Sequence, residues 1–515
     1  MFASAGTKQP QRLSFQLDPR KPPMPHPTAH APPPTEPEAR ATGRAGASGS
    51  SLRRVTPVAA ARSVASALVL ASLTAGSAAS AQLLSFGREA PAHVPAPVED
   101  EGRPTGREVV PARARPQHAA APVVACSFSE AVCIHAAPSV DPAAILSTLG
   151  QAEAALRAYR ALGLPAPLSD GNLGGSSAYD VYLIPGAEPA VTAGDVPLSS
   201  DDWDRTSAYT ILAPPSPRSG CEAAFTVAQA VAHAVALRFD AGAEAGTLAM
   251  ASSYLASLAA PCAPVELAAM DDFQRHPERS FVAGDPDRPD GALLFPWFLD
   301  ESWGKGGPGR VISSLLALVT QKTAPGAWEW HNQPDVFAAL RAIMHDRSST
   351  LDNLLLDFAV ARAFVGSRSD GAHLADVERF GELGRVRFEW AVPYDSLPRR
   401  LAPGAPIEAM GMTYLWLDTS SAPPGAELTF VGDWELPSVF RWALVKVDRS
   451  GAEAGRVDVV GVFGANHAER SVVKLDGMAG VLVVGVNAGS MDRSHPFDPD
   501  EEPLMPHGYT VMLAK

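Results

Sequence analysis

Phe225–Asp240 reads FTVAQAVAHAVALRFD, and this stretch decides how the fold is interpreted. Small and branched apolar residues fill most of its positions, without glycine or proline, so the pattern predicts a buried helix over 222–239. Polar side chains interrupt the run at only a few points, and two of them, Gln229 and His233, stand four residues apart. That spacing places Gln229 and His233 on one face of the helix.

The sequence on both sides of this helix predicts an α+β domain over 123–400. Asp141 and Pro142 begin a helix whose apolar face recurs every three or four residues until Gly163 and Pro165 end it. Strands are predicted at Tyr179–Ile184 and Ala208–Leu212. Further helices are predicted near 245–260 and at Gly291–Trp303, Val311–Thr320, Val336–Met344 and Leu351–Val365.

The pattern of apolar and turn-forming residues changes after about residue 400. Short β-rich runs follow one another, separated by glycine, proline, aspartate and asparagine. The runs are Met412–Leu417, Glu427–Val431, Phe440–Val447, Val457–Phe463, Ser471–Leu475, Val481–Val486 and Tyr509–Leu513. Closely spaced strands of this kind predict an all-β sandwich of jelly-roll or immunoglobulin-like type over 401–515.

The first 122 residues do not predict a folded domain. Residues 1–50 are rich in proline and poor in aromatic residues, which indicates a disordered extension or a misassigned start codon. Residues 51–81 combine an arginine pair, an apolar stretch of about ten residues and a small-residue site, the order of a secretory signal peptide. A membrane anchor is the alternative, but the apolar stretch is too short to span a bilayer. Residues 82–122 are predicted to be a Pro/Ala-rich linker.

Charge and composition exclude some classes of partner and location. The chain has a formal net charge of −14, and residues 1–81 are basic, so the exported part is more acidic than the whole. A nucleic acid is therefore not expected as a partner. No uncharged apolar run is long enough for a membrane span once the signal is cleaved. We expect an exported protein, periplasmic or extracellular, whose partner is a protein, a peptide or the cell envelope.

Four cysteines lie in the exported part, and an even number in such a chain indicates two disulfides. Three pairings are possible. We favour Cys126–Cys133 and Cys221–Cys262, because neighbours in sequence close most easily. A cysteine metal site is the alternative, but the sequence contains no CxxC and no Cys/His cluster.

Gln229 and His233 occupy the spacing at which a zinc peptidase places its two histidine ligands, with a glutamate base after the first. The chain resembles secreted bacterial zinc metallopeptidases of the zincin type, which carry HExxH followed by Ala-Val and an aspartate seven residues after the second histidine. The matching stretches here are AYDVYL at 178–183, His233-Ala234-Val235 with Asp240, and LFPWFL at 294–299. The resemblance implies a zincin-like fold from about Cys126 to Val365.

The resemblance also implies that the active site is missing. Gln229 replaces the first histidine and Ala230 replaces the glutamate base, so that only His233 remains. The third ligand of such enzymes is a glutamate about 20 residues beyond the motif, and the stretch 248–256, LAMASSYLA, contains no carboxylate. We therefore expect a degenerate metallopeptidase without catalytic residues, metal or cofactor.

Two functional hypotheses follow. The first is a non-catalytic pseudoenzyme that serves as a binding or envelope-associated scaffold, in which Gln229 hydrogen-bonds to His233 and fills the former metal space. The second is an active metal-dependent hydrolase that uses His233 with zinc and non-standard ligands. The other histidines of the domain would have to supply those ligands: His276, His331, His345 and His373. A purely structural secreted protein is a third possibility.

Two weaker patterns complete the survey. The run Asp285–Gly291 resembles the start of a calcium loop, but it contains two prolines and lacks the glutamate that ends such a loop. An acidic stretch before the last strand could bind calcium, although a solubilising loop is preferred; its residues are Asp492, Asp498, Asp500, Glu501 and Glu502. We expect four tryptophans to pack among the helices or to form a shallow aromatic surface: Trp297, Trp303, Trp328 and Trp330.

Overall fold

The computed structural model describes residues 107–108, 114–187, 190–195, 204–216, 220–282, 291–305, 307–320, 329–330, 334–459, 461, 466–468, 470–489 and 505–515. The predicted extension, signal peptide and most of the predicted linker lie outside these residues. So do the run 285–290, Trp328, His331 and the acidic stretch 492–502.

The N-terminal part combines strands and helices. Its strands are β1 (Arg107–Glu108), β2 (Val123–Cys126), β3 (Val132–Ala136), β4 (Tyr179–Leu183), β5 (Val191–Gly194), β6 (Ala208–Leu212) and β7 (Glu329–Trp330). Its helices are α1 (Pro142–Ala161), α2 (Cys221–Leu237), α3 (Ala245–Ala259), α4 (Ala263–Arg275), α5 (Leu294–Trp303), α6 (Arg310–Val319), α7 (Val336–Asp346) and α8 (Leu351–Ala363). The helices predicted from the sequence are present, whereas α4, β2, β3 and β5 are additions.

Five of these strands form one mixed sheet in the order β2-β3-β4-β6-β5. The three central strands are parallel, and each edge strand pairs antiparallel with its neighbour. Helix α1 connects the parallel strands β3 and β4, and the carboxylate of Asp141 caps it by accepting from the backbone N–H of Ala143. Separately, β1 pairs antiparallel with β7.

Both faces of this sheet are buried. Along β4, Tyr179, Val181 and Leu183 join the apolar core beneath the helices, while Asp180 and Tyr182 point to the opposite face. The opposite face, called here the outer face, is covered in part by the chain segment 114–121. Ala121 is fully buried in it. The folded region therefore begins before Val123, the residue at which we expected it, because this segment packs on the sheet.

The C-terminal part consists of two stacked sheets. Its strands are β8 (Trp390–Pro393), β9 (Arg399–Leu401), β10 (Met412–Asp418), β11 (Glu427–Trp434), β12 (Phe440–Asp448), β13 (Glu453–Val459), β14 (Ser471–Lys474), β15 (Met478–Asn487) and β16 (Tyr509–Ala514). One sheet has the order β13-β12-β15-β10-β8 and the other β14-β11-β16-β9. An apolar core that includes Trp442, Phe430 and Leu444 fills the space between them.

The sandwich begins earlier than the sequence suggested. We expected its first strand after residue 401, but β8 pairs parallel with β10, and β9 pairs antiparallel with β16. Both are short: β9 is three residues long, and β8 ends at Pro393. Runs this short show too little alternation of apolar and polar residues to be recognised as strands. In addition, Pro393 argues against a strand in the sequence, although proline is tolerated in an edge strand such as β8.

The helices and the sandwich share one core. Tyr414 of β10, Val445 of β12 and Val484 of β15 belong to the same apolar cluster as the helices of the N-terminal part. The Tyr414 hydroxyl donates to the carbonyl of Ala359 in α8 at 2.9 Å. Asp100–Lys515 consequently forms one compact unit rather than two separate domains. No helix in the described ranges is long and apolar enough to cross a bilayer.

Candidate functional site

Helix α2 carries the residues that the sequence singled out, and two tyrosines fix its position. The Tyr159 hydroxyl of α1 donates to the Ala228 carbonyl at 2.8 Å, and the Tyr179 hydroxyl of β4 donates to the Ala230 carbonyl at 3.3 Å. Burial raises the pKa of both phenols, so they remain neutral donors. These contacts attach the middle of α2 to the sheet and to α1.

A disulfide fixes the start of the same helix. Cys221, the first residue of α2, is bonded to Cys262, which directly precedes α4. The intervening loop of the chain contains all of α2 and α3. The second disulfide joins Cys126 and Cys133, which face each other across the β2–β3 hairpin. The structure thus contains the two pairs favoured from the sequence, and no cysteine is free.

Gln229 contacts α3 rather than His233. Its Nε2 donates to the Ser253 hydroxyl at 3.0 Å, and Ser253 is fully buried. The expectation that Gln229 hydrogen-bonds to His233 is not what the structure shows. Side chains four residues apart on a helix lie side by side, and Gln229 has a polar partner in front of it on the neighbouring helix. Gln229, Ala230, His233 and Ser253 are called the α2–α3 site below.

His233 is half-buried on α2. Burial lowers the pKa of His233 to about 4, so the imidazole is neutral at physiological pH. Within the described residues, its ring makes no hydrogen bond with a side chain or a carbonyl. Ala230, the residue that follows Gln229, is buried and offers only a methyl group.

The α2–α3 site does not fit zinc. Protein ligands of zinc are thiolate sulfur, imidazole nitrogen and carboxylate oxygen. Of these, the site offers one imidazole, while the amide nitrogen of Gln229 is a donor already used by Ser253. Across the described ranges, no group of three or more His, Cys, Asp or Glu side chains is arranged to hold a metal ion.

The histidines considered as alternative ligands are engaged or exposed. His345 is 90% exposed, and His276 lies beside Asp272 and Glu278. His373 contacts Asp370 at 3.0 Å and Glu453 of β13 at 2.9 Å. Each of these three contacts groups outside the α2–α3 site.

Asp240, the aspartate seven residues after His233, is buried in an acidic environment at the end of α2. Burial raises the pKa of Asp240 to about 8, and the charge of Asp204 adds to this effect, while the N–H of Gly242 opposes it. Glu244 and Asp335 contribute further negative charge. The Asp240 carboxyl is therefore protonated in a large fraction of molecules near neutral pH.

The outer face of the sheet carries a polar cluster that the sequence did not predict. Arg115 donates to both carboxylate oxygens of Asp195, at 2.9 and 2.8 Å, and to Asp180 at 2.5 Å. It also forms an ion pair with Asp170 at 3.0 Å, and Asp180 contacts the buried His135 at 2.8 Å. These five residues are called the outer-face cluster.

Electrostatics explain why these groups stay together. Burial opposes the charge of Arg115, but its bond to Asp195 and the Asp195 charge raise the pKa of Arg115 above its ordinary value. Burial raises the pKa of Asp170, against the Asn172 N–H and the Arg115 charge. One sequence signal pointed here: Asp180 is a charge in the otherwise apolar strand β4, and such a residue needs a partner.

The tryptophans that the sequence analysis named lie in different elements. Trp297 and Trp303 of α5 are half-buried and pack against the helical core. Each lies within cation–π distance of an arginine, Arg379 at 5.3 Å and Arg347 at 4.5 Å. For these two residues, packing among the helices is observed. Trp330 lies in β7, away from α5 in sequence.

Comparisons with known proteins give little guidance. No family model matches the chain, and no curated protein matches it. Among solved structures, it is similar to the pre-peptidase C-terminal domain of a collagenase from Bacillus anthracis, with 10% identity and a TM-score of 0.17. That match covers 25% of this chain and 96% of the collagenase domain. A likeness of this extent does not decide the fold or function, so the α2–α3 site has to be interpreted from its own residues.

Proposed function

We propose that this chain is an exported, catalytically inactive relative of zincin-type metallopeptidases that serves as a binding or envelope-associated scaffold. The hydrogen bond between Gln229 and Ser253 carries this proposal. Gln229 stands at the first histidine position, and Ser253 lies 20 residues after His233, where the resemblance expects the glutamate ligand. Two neutral groups that satisfy each other thus occupy two ligand positions.

The remaining residues of the site support the same conclusion. Ala230 cannot take a proton from water, so the reaction of these enzymes would lack its general base. His233 keeps a neutral imidazole, but a single imidazole is a poor zinc site. The buried Ser253 and Ala230 also leave α2 and α3 closely packed at this point.

Export is supported by the disulfides. All four cysteines are paired, and disulfides persist in oxidising compartments. The segment 51–81 has the composition of a signal peptide, and the acidic net charge of the chain suits a soluble exported protein. The partner that we propose is a protein, a peptide or a component of the cell envelope.

Metal analysis of the purified protein, combined with a general protease assay, tests the proposal. We expect far less than one equivalent of zinc, no peptidase activity and no change in the melting temperature on chelation. One equivalent of zinc that survives dialysis would overturn the proposal in favour of the active hydrolase.

Engineered ligands test whether α2 and α3 keep the geometry of a zincin. In the triple variant Gln229→His, Ala230→Glu and Ser253→Glu, two histidines and one glutamate would converge, and we expect zinc binding to appear. The matched control carries Ser257→Glu instead, one helical turn further along α3. Equal zinc binding by both variants, or none by the first, would contradict the relationship to zincins.

A further inference from the structure

The junction between α8 and the sandwich contains a cavity of about 410 Å³. Its walls are mainly apolar and aromatic, and two arginines are the charged groups among its lining residues. The lining residues that matter here are Phe364, Arg368, Arg385, Phe388, Trp416 and Leu482. A cavity of this size fits a small organic molecule or the end of a peptide.

Arg368 is the unusual residue of this cavity. Its guanidinium lies 3.6 Å from the ring centre of Phe388, and it donates to the carbonyl of Val386 at 2.6 Å. Among the described residues, no carboxylate forms an ion pair with it. Burial and the nearby charge of Arg385 lower the pKa of Arg368 to about 10, against the opposing effect of Glu382. A half-buried guanidinium without a carboxylate partner is costly, and an anion would relieve that cost.

The two arginines that line the cavity differ in their partners. Arg385 is exposed and forms an ion pair with Glu382 at 2.6 Å. Arg368 forms no ion pair with a carboxylate of the described residues, and its bonded partner is the neutral carbonyl of Val386. This is notable in a chain whose net charge is −14. One guanidinium neutralises a monoanion such as a carboxylate, whereas a dianionic phosphate would bring a second, unpaired charge into the half-buried cavity.

The aromatic walls are held in place before any ligand arrives. The ring of Phe364 stacks on His373 at 4.3 Å with an interplanar angle of 2°, and His373 is held between Asp370 and Glu453. On the other side, Phe388 lies nearly parallel to Trp416 at 6.0 Å. Fixed walls reduce the entropy cost of binding a flat or branched apolar group.

We propose that this cavity binds a carboxylate that is attached to an aromatic or branched aliphatic group. Arg368 would pair with the carboxylate through the N–H groups that Val386 does not use, and the apolar group would lie between Phe364 and the Phe388–Trp416 pair. Two sources supply this chemistry: a free carboxylic acid or the C-terminal residue of a peptide. The proposal does not depend on the loss of peptidase activity at the α2–α3 site.

Calorimetric titration with N-acetyl-L-phenylalanine tests the proposal, with N-acetyl-L-phenylalanine amide as the uncharged control. We expect a Kd of about 10 μM to 1 mM for the acid and at least about tenfold weaker binding of the amide. A blocked tripeptide that ends in phenylalanine, with a free or amidated C-terminus, distinguishes the sources. Tighter binding of the free-acid tripeptide than of the single residue identifies a peptide end, and the reverse identifies a free acid.

Three variants complete the test. Arg368→Met keeps the aliphatic contact with Phe388 and should weaken binding of the acid at least about tenfold. The matched control Arg157→Met, on α1 and outside the cavity, removes an exposed arginine that pairs with Glu153 and should change binding of the acid less than about threefold. Ser450→Trp, at an exposed turn on the rim, should block the cavity without altering the core. Equal binding of acid and amide, full binding by Arg368→Met or Ser450→Trp, or no binding of any carboxylate would overturn the proposal.

Discussion

On the outer face of the five-stranded sheet, Arg115 holds three buried carboxylates together, whereas on the helical side the α2–α3 site contains one neutral histidine and an amide bonded to a hydroxyl. Both regions are polar, and they lie on opposite sides of the same sheet. Ion pairs stabilise the outer-face cluster, whereas a hydrogen bond between neutral groups stabilises the α2–α3 site.

This difference shows two ways in which polar side chains are kept stable inside the same protein. A carboxylate left without its cation would be very costly inside the protein, so a metal site cannot lose its metal and keep all its acidic ligands. At the α2–α3 site, the neutral side chains of Gln229 and Ser253 satisfy each other between the two helices. In the outer-face cluster, the carboxylates remain because a chain arginine supplies the positive charge.

The largest effect is expected from removing that arginine. Arg115→Met leaves Asp170, Asp180 and Asp195 without their cation, and breaking a buried ion pair of this kind costs about 3–5 kcal/mol of unfolding free energy. Urea unfolding measures the loss. The control is Arg275→Met, since Arg275 is 63% exposed and pairs with Asp271 one helical turn earlier; its expected cost is below about 1 kcal/mol. Similar losses in both variants would contradict the role given to charge in the cluster.

The disulfide at the start of α2 should have the next largest effect. Cys221→Ser opens a loop of 41 residues around α2 and α3, and the loop-entropy relation gives a cost of about 2–4 kcal/mol under oxidising conditions. Cys126→Ser opens a loop of only 7 residues and should cost about 2 kcal/mol. Denaturant unfolding with and without reductant provides the measurement. A larger loss of unfolding free energy in Cys126→Ser than in Cys221→Ser would contradict the restraint that the Cys221–Cys262 disulfide places on α2 and α3.

His233 should make the helical side sensitive to acid. Its pKa of about 4 in the folded protein lies below the ordinary value of 6.5, so the unfolded chain binds a proton that the folded chain excludes. Stability is therefore unaffected above pH 6.5 and falls as the pH drops from 6.5 to about 4, by on the order of 1–3 kcal/mol. His233→Phe removes this contribution. The unfolding free energy of both proteins is measured from pH 7 to pH 4. The value for the wild type minus the value for the variant should fall by that amount over this range. A constant difference would contradict the lowered pKa of the imidazole.

The smallest effect belongs to the neutral pair. A double-mutant cycle with Gln229→Ala and Ser253→Ala should give a coupling free energy of about 0.5–1.5 kcal/mol, as expected for one neutral hydrogen bond. Unfolding of the four proteins by urea supplies the values. A coupling above about 3 kcal/mol would place the pair in the same class as the charged cluster and remove the contrast between the two sides of the sheet.

Local sequence patterns predicted the helices and strands better than the tertiary contacts between them. Helix α1 followed from Asp141, Pro142 and the spacing of its apolar residues, and α2 from its continuous apolar run. The mixed α and β content and the β-rich C-terminal part were also expected. Helix α4 was not, because its residues 263–275 mix charged and apolar types and have little overall hydrophobicity.

The partners of the polar residues could not be derived from local sequence. Arg115 lies in a stretch that reads as a linker, and its carboxylates come from positions 55 to 80 residues away. Nothing near Gln229 indicates that Ser253 faces it, since the rotation of α3 about its axis depends on tertiary packing. The resemblance implies only a stretch of nine residues, 248–256, for the third ligand position, and Ser253, the partner of Gln229, lies within that stretch.

The core that the helices share with strands β10, β12 and β15 limits how this protein can be divided. A protease cut near residue 400 would not release two stable fragments, because each fragment would expose the apolar surface that the other now covers. Heating should melt the helices and the sandwich together, in a single calorimetric transition. A fragment that keeps the junction cavity therefore has to contain both the helices and the sandwich, since residues of both line it.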